Sequence, residues 1–278
     1  MTVALIDDGV NFMHEAVAAR LDTGRNFPIG NASDPFHGST TGHGSIMAYM
    51  IGRVCHTVKI YVCKLDVVRQ PGEKASFTAE SAADLWNLQQ IAGSISSPYP
   101  GRYRDRTIRK AIIIGAAKAD GEAYDWMGSP ADVDFILPGH KATLRVDDII
   151  EEKGDTPKPG SSVATALAVG LGALIIHCVR LGAIYNHYHH SPDETNAINK
   201  GSVQTIKRFS NMKQAFDTVS FRYTGNDRVG KNLEVESFFK DVSSVISVNS
   251  DRKNSEKWKR IARLARDLVP SSMNRTYA

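Results

Sequence analysis

The sequence predicts an α/β fold in which a mostly parallel sheet carries helices on both faces. Short apolar runs with the length of buried strands alternate along the chain with segments that have helical spacing. An aspartate, a histidine and a serine stand where strands end or helices begin, which is where such sheets gather functional groups. The alternation and the placement of these polar residues together predict the fold class.

The elements follow one another in a regular order. The first strand, TVALIDDGV, is apolar and ends in two acids, and the strand VKIYVCKL alternates between apolar and polar residues. The segment TAESAADLWNLQQIAG starts with a threonine and acids and continues as an amphipathic helix. The predicted order is strand 2–10, helix 42–54, strand 58–65, helix 78–93, strand 110–118, strand 133–139 and an apolar helix from Ser161 onward.

The most apolar run, KPGSSVATALAVGLGALII, can be read as a membrane span or as a buried helix. From Val163 to Ile176, 14 residues carry no charge before polar residues follow. A span needs about 20 apolar residues. Pro159 and Gly160 interrupt the preceding segment, and either of the next two serines can cap a new helix. We therefore expect a core helix and no membrane contact.

Composition limits the class of protein and its environment. The 278 residues are 42% apolar and 23% charged, which is enough to build a globular core. The net charge of +4 demands neither nucleic acid nor an acidic membrane as a partner. Cys55, Cys63 and Cys178 stand in apolar surroundings and are expected to be reduced, which favours a cytoplasmic or other intracellular location. No secretory signal is visible, although the abrupt start on a strand raises the expectation of a truncated N-terminus.

Three residues at the predicted junctions can form a nucleophilic catalytic site. Asp7 ends the first strand, His43 begins the following helix, and Ser162 lies at the start of the apolar helix. A serine hydroxyl needs a base to take its proton, and the base needs a carboxylate that holds its tautomer. Backbone N–H groups at a helix N-terminus can stabilise a developing oxyanion. Each residue alone also has a structural explanation as a turn former or helix cap, but their joint occurrence favours a triad.

The residues around these three positions resemble a known family. VALIDDGV, GHGSIMAYMI and GSSVATALAVGLGALI are similar to the Asp, His and Ser motifs of subtilisin-like serine peptidases (subtilases), in that family's chain order. The resemblance implies Ser162 as nucleophile, His43 as general base and Asp7 as the orienting carboxylate, with Asp8 as a bystander. It extends from Thr2 to about Leu181.

The resemblance also implies features outside the triad. Residues 111–139 look like the strand, exposed hairpin and Pro-Gly turn that precede the serine motif in these enzymes. The wording of the motifs suggests an intracellular member of fungal type. Calcium sites are common in the family, but no ligand run for calcium, and no other cofactor site, can be identified in the sequence.

One departure from the family bears on catalysis. His43 and Ser162 are 119 residues apart, whereas subtilisin has about 157 between the same roles. The missing stretch normally includes a strand, a helix and the asparagine of the oxyanion hole. Asn87 is the single asparagine between the two motifs and lies in a predicted helix, which makes it a poor substitute. The chain is therefore an active diverged peptidase, a pseudoenzyme that binds peptides, or an incomplete version of a longer product, and the third is favoured.

The rest of the chain shows no catalytic pattern. We place a peptidase domain at residues 1–190 and a helical extension at residues 191–278. The cluster HYHH lies where the peptidase domain meets the extension. We interpret it as a polar helix end, with metal binding as the alternative. The segment EKWKRIARLARDLV predicts a basic amphipathic helix that packs through Trp258, Ile261 and Leu264, with binding to an anionic surface or a partner as the alternative.

Two classes of function remain open at this point. The first is a serine endopeptidase that acts on a peptide or protein through an acyl-enzyme. The second is a catalytically impaired pseudoenzyme on the same scaffold, or a module that binds peptides or partner proteins. The sequence does not indicate substrate specificity or oligomeric state.

Overall fold

The computed structural model describes most of the chain. The described residues are 1–27, 35–39, 41–68, 76–77, 111–118, 121–124, 132–139, 160–189, 198–221, 231–246 and 254–270. The predicted helix 78–93, which includes Asn87, lies outside them.

Strands and helices alternate through the first part of the described residues. The strands are β1 Thr2–Asp7, β2 Leu21–Phe27, β3 Lys59–Leu65, β4 Val67–Val68, β5 Ser76–Phe77, β6 Ile114–Ala117, β7 Phe135–Pro138, β8 Ser220–Phe221 and β9 Lys231–Leu233. The helices are α1 Glu15–Ala18, α2 His43–Val54, α3 Ser161–Tyr188, α4 Lys200–Thr205, α5 Phe209–Val219, α6 Val235–Ile246 and α7 Asn254–Leu268. In the first part of the chain the sequence predicts β1, α2 and β3, whereas α1 and β2 were not predicted.

The chain divides into two compact units. One comprises Met1–Pro98, Ala116–Tyr124 and Pro138–Leu171, and the other comprises Tyr99–Gly115, Asp125–Leu137 and Gly172–Ala278. All three residues of the expected triad belong to the first unit. The domain boundary that the sequence suggests after residue 190 stays a prediction.

A three-stranded parallel sheet organises the first unit. β3 is its central strand, with β1 on one side and β2 on the other. Ile60 and Val62 of β3 are fully buried, as expected for the middle strand of a parallel sheet. Because the strands run in the same direction, their carboxyl ends meet at one edge, and the end of β1 at Asp7 lies there opposite Lys64.

A second sheet has the strand order β6–β7–β9–β8. β7 pairs with β9 in parallel, whereas β8 and β9 are antiparallel. The α/β class with parallel pairing is therefore confirmed, but the described strands do not form the single sheet that we expected. The C-terminal region is also not purely helical, because it contributes β8 and β9.

Helices α2 and α3 carry apolar faces into the core of the first unit. Met47, Met50 and Ile51 of α2 are almost fully buried, in agreement with the helical spacing in the sequence. In the first turns of α3, Val163 and Ala164 are also buried. The predicted helix after Gly160 is thus present, and it extends further than the apolar run alone indicated.

Helix α3 is long and apolar enough to cross a membrane by length and composition. Its 28 residues include an 18-residue window with a mean hydropathy of 2.1, and 56% of that window is buried within the protein. The count of 14 uncharged residues underestimated this length, because the helix continues through His177 and Arg180. A buried core helix passes the same test, so the property is weak support for a span.

The C-terminal helices correct one detail of the predicted packing. Leu264, Ala265 and Leu268 of α7 are buried, as the amphipathic pattern indicates. Trp258, which we expected to pack with them, is 37% exposed. The buried stripe of the helix therefore starts after its first turn.

All three cysteines lie in the described part of the chain, where they are buried and form no disulfide, as the sequence indicates. Burial raises the pKa of the Cys63 thiol to about 11, so it stays protonated at neutral pH. These thiols behave as core residues.

The packing of α2 against α3 can be tested by a substitution at Gly170. A Cβ at this position would lie 2.7 Å from the Cβ of Val54 and 2.9 Å from the carbonyl oxygen of Ile51. We expect Gly170→Ala to lower the free energy of unfolding by about 1–3 kcal/mol, because overpacking displaces one helix from the other. Urea denaturation of both proteins measures the difference.

Gly172→Ala is the matched control in the same helix. The nearest atom to a Cβ there is the Met212 sulfur at 3.8 Å, an ordinary contact. We expect this change to raise stability by about 0.5–1 kcal/mol, because alanine is the better helix former. An equal rise in the free energy of unfolding in Gly170→Ala and Gly172→Ala would contradict the close packing at Gly170.

Candidate active site

Two adjacent carboxylates are buried where β1 ends. Asp7 is the last residue of the strand and is 4% exposed, and Asp8, which follows it, is 1% exposed. Buried carboxylates need hydrogen-bond donors or positive charge around them. The two side chains find these donors in different places, and this difference separates their roles.

Asp7 contacts the imidazole of His43. The Nδ1 atom of His43 lies 2.8 Å from both Oδ1 and Oδ2 of Asp7, and Oδ1 also accepts the Asp8 N–H at 2.8 Å. His43 is the first residue of α2, so the start of this helix carries the ring to the end of β1. The side chain of His43 is 43% exposed and that of Asp7 is 6% exposed. A buried acid therefore holds the ring at Nδ1, while part of the side chain remains exposed.

The pKa values of Asp7 and His43 are both raised. Burial lowers the pKa of His43, but the hydrogen bond to Asp7 and the negative charges of Asp7 and Asp8 outweigh this effect and leave its pKa above the ordinary value. Burial raises the pKa of Asp7, against the opposing effects of the hydrogen bond and charge of His43.

These two shifts favour different protonation states of Asp7. A raised pKa on His43 requires an ionised partner, whereas a raised pKa on Asp7 favours the protonated acid. We assign Asp7 as the ionised carboxylate, because its Oδ1 accepts the Asp8 N–H and because the raised pKa of His43 depends on the negative charge of Asp7. Nδ1 of His43 therefore carries the ring proton, and Nε2 is the nitrogen left to act as a base.

Close approach of α2 to β1 depends on a glycine. A Cβ on Gly44 would lie 2.1 Å from the carbonyl oxygen of Gly9 and 3.0 Å from the Cβ of Asp7. No larger residue fits there without moving the helix away from the strand. Asn11 adds a second link, because its N–H donates to the Ser45 hydroxyl at 2.8 Å.

Asp8 is not the bystander that the family resemblance implied. Its carboxylate accepts hydrogen bonds from Ser39, Thr41 and Gly44, which lie in and after the loop that leads into α2. Burial alone would raise the pKa of Asp8, but these donors outweigh it and lower the pKa. Ser39 and Thr41 were missed in the sequence analysis, although hydroxyl residues just before a helix are a usual sign of capping.

Ser162 lies in the first turn of α3 and is half-buried. The start of that helix is tied to neighbouring chain, because the Gly160 N–H donates to the Gly139 carbonyl at 2.9 Å, and Gly139 donates to Ala117. Among the hydrogen bonds of the described residues, none joins Ser162 to His43. The structure thus brings Asp7 and His43 into contact and places Ser162 at a helix N-terminus.

The hairpin implied before the serine motif is present in part. After β6, the Lys118 N–H donates to the Glu122 carbonyl at 2.7 Å, and Ala117 pairs with Ala123 in an antiparallel bridge. The rest of the segment up to residue 131 lies outside the described residues.

No group of three His, Cys, Asp or Glu side chains in the described part of the chain could hold a metal ion. The histidines near the end of α3 instead make ring contacts, with Tyr185 and His189 at 4.6 Å and His187 and Tyr188 at 5.2 Å. His190 lies outside the described residues. The expectation that the protein uses no cofactor stays a prediction.

Comparison with known proteins identifies the fold. No protein-family model matches the chain, and no curated protein matches it. Among solved structures, the chain is similar to a lanthipeptide protease, with a TM-score of 0.57 and 15% identity over 87% of this chain and 88% of that one. It is also similar to a cold-adapted subtilisin-like serine proteinase, with a TM-score of 0.55 and 17% identity over 84% of this chain and 87% of that one.

The fold is therefore that of subtilisin-like proteases, as the sequence motifs indicated. At 15% and 17% identity the likeness shows the fold alone and assigns no residue roles. It gives no support to a fungal origin or to an incomplete peptidase domain.

The contact between Asp7 and His43 yields a prediction about protonation. We expect Asp7→Asn to lower the pKa of His43, because the change removes the carboxylate charge of Asp7 and the hydrogen bond of His43 to an ionised partner, and leaves Asp8 as the one carboxylate that opposes the effect of burial. An NMR titration of the histidine ring protons measures the change. His56, whose Nδ1 contacts Arg20 at 3.1 Å, serves as internal control.

The same interaction makes stability depend on pH. The pKa of His43 in the folded protein lies above its unfolded value of about 6.5, so its contribution is fully present below that pH and is lost as pH rises through the folded value. The stability difference between wild type and Asp7→Asn should therefore be smaller at high pH than near neutrality. A His43 titration that does not change in Asp7→Asn would contradict the assignment.

Proposed function

We propose that this protein is a serine-type endopeptidase in which Ser162 is the nucleophile, His43 the general base and Asp7 the residue that orients His43. The observation that carries the proposal is the 2.8 Å contact of a buried carboxylate with Nδ1 of a partly exposed imidazole. A neutral ring held in this tautomer offers Nε2 to a hydroxyl proton. The protease fold and the place of Ser162 at the start of a long helix support the same function.

The reaction follows from these roles. The Ser162 hydroxyl gives its proton to Nε2 of His43 as its oxygen bonds to the peptide carbonyl carbon, and the carbonyl π electrons move onto oxygen. The imidazolium, stabilised by Asp7, then protonates the leaving amine as the C–N bond breaks. Water repeats the sequence on the acyl-enzyme, with His43 first as base and then as acid, and releases the peptide acid and free Ser162.

Backbone groups at the start of α3 are the proposed oxyanion donors. The first four N–H groups of a helix have no intrahelical acceptor four residues earlier, and the helix dipole places partial positive charge there. The Ser162 N–H belongs to this set. Loss of an oxyanion-hole asparagine costs subtilisin about 10²–10³ in kcat, so we propose a slower enzyme if these backbone donors act alone.

Substrate and environment follow the same reasoning. We propose a peptide or protein substrate, in line with the protease fold of the structural neighbours. The proposed chemistry uses side chains of the protein and no cofactor. Three buried cysteines outside disulfides agree with the proposed reducing, intracellular environment. The mild net charge of +4 is the basis for proposing neither nucleic acid nor a membrane as a partner.

A non-catalytic binding module on the same scaffold is the second candidate. It is favoured by one observation, the lack of a hydrogen bond between Ser162 and His43 among the described residues. Catalytic hydrogen bonds are often long in unliganded enzymes and shorten when substrate binds, so we prefer the peptidase.

A fluorophosphonate probe separates the two candidates. We expect wild type to be labelled covalently and Ser162→Ala not to be labelled, because the probe reacts with an activated serine hydroxyl. Ser161→Ala is the matched control, since it removes the adjacent hydroxyl and should keep the labelling. Mass spectrometry of the labelled peptide identifies the modified residue.

The pH dependence of labelling adds a further check. Because the pKa of His43 is raised, the neutral base forms only as pH rises above the ordinary value of 6.5, and the labelling rate should increase through that range. Folded wild type that is not labelled at any pH would reject the peptidase and leave the binding module. Labelling that persists in His43→Ala would reject the roles assigned here.

A further inference from the structure

The carboxylate of Asp8 binds two backbone N–H groups at the start of α2 directly. Thr41 donates its N–H to Oδ2 at 2.5 Å, and Gly44 donates its N–H to Oδ1 at 2.9 Å. Asp8 is 1% exposed, so water contributes little to its solvation. These two bonds join the end of β1 to the residues on either side of Gly42 and His43.

Two hydroxyl groups connect the intervening N–H groups to the same carboxylate. The Gly42 N–H donates to Ser39 Oγ at 2.8 Å, and that hydroxyl donates to Asp8 at 2.9 Å. The His43 N–H donates to Thr41 Oγ1 at 3.3 Å, and that hydroxyl donates to Asp8 at 2.7 Å. Four consecutive N–H groups, from Thr41 to Gly44, are therefore tied to one acid directly or through one hydroxyl.

This arrangement replaces the usual helix cap. The N-cap residue of α2 is Gly42, which has no side chain to accept a hydrogen bond. Helix starts leave N–H groups without partners, and a negative charge there is favourable. Asp8 supplies both the acceptors and the charge, although it is 34 residues away from Gly42 in the sequence.

We propose that Asp8 is a positioning residue, which fixes the backbone of His43 so that its ring meets Asp7. This inference rests on the proposed function for its effect on rate. Asp8 follows Asp7 directly, so one strand end holds both the ring and the backbone of the histidine. A displacement of about 1 Å in a catalytic group can cost 10²-fold in rate.

Asp8→Asn is the direct test, because both oxygens of Asp8 are acceptors. Asparagine has one amide oxygen and one NH₂ group, so its NH₂ group would face either the Thr41 N–H or the Gly44 N–H. Flipping the amide only changes which of these two donors loses its acceptor. We expect the labelling rate with the fluorophosphonate probe to fall about 10²-fold. Asp22→Asn removes the same charge from β2, outside this network, and should leave the rate unchanged.

A second measurement reports position without catalysis. The Nδ1–H proton of His43, hydrogen-bonded to Asp7, should give a downfield NMR signal in wild type and in Asp22→Asn. In folded Asp8→Asn we expect this signal to be lost through exchange with water. We also expect the ring to titrate at lower pH, since the negative charge of Asp8 is gone.

Thr41 provides a variant that keeps Asp8 intact. Thr41→Val removes the hydroxyl that connects the His43 N–H to the acid, and Thr41→Ser keeps it. We expect slower labelling and a weaker Nδ1–H signal in the valine variant, and recovery of both in the serine variant. This pair decides the question if Asp8→Asn does not fold, as circular dichroism will show.

The outcomes separate this inference from the proposed function. Wild-type labelling and Nδ1–H signal that persist unchanged in folded Asp8→Asn would overturn the positioning role. The role would also be overturned if Asp8→Asn did not fold and the valine and serine variants of Thr41 matched wild type. If wild type is not labelled, the peptidase proposal fails, and loss of the His43 signal in Asp8→Asn would still support the positioning role.

Discussion

Burial of two adjacent carboxylates at one strand end is the constraint on which the candidate site depends. Neither Asp7 nor Asp8 can lie in the core without donors, and the loop and helix that follow supply them. The imidazole of His43 hydrogen-bonds to Asp7, and backbone N–H and hydroxyl groups around Thr41 donate to Asp8. The need to solvate these acids from within the protein thus brings α2 against β1, and it does so at the residue proposed as the base.

The two acids receive different surroundings and therefore different properties. Hydrogen bonds from uncharged groups keep Asp8 ionised, so its pKa is lowered despite burial. Asp7 has fewer such donors and relies on a titratable partner. A carboxylate that stays ionised, such as Asp8, can hold neighbouring backbone in place. Asp7 instead hydrogen-bonds to His43, and a charge beside a titratable ring stabilises the protonated form of a base that gains and loses a proton.

The sequence revealed the parts of this structure that local pattern controls. The strand ending at Asp7, the helix starting at His43 and the long helix from Ser161 were predictable, because each has its own apolar period and its own breaker or cap residues. The roles of Ser39 and Thr41 were not, since their bonds to Asp8 cross more than 30 residues of chain. Strand β9 was also missed, because three residues, Lys231–Leu233, carry too little pattern to outweigh their polar surroundings.

The exposure of the His43 ring connects its position to its proposed chemistry. Asp7 contacts Nδ1 of the ring, and 43% of the His43 side chain is exposed. A ring that is held at Nδ1 and is partly exposed can exchange a proton through Nε2 with a hydroxyl group that contacts it. A histidine kept only for packing would gain more from complete burial with both nitrogens bonded. The partly exposed ring therefore agrees with the proposed role of His43 as a base.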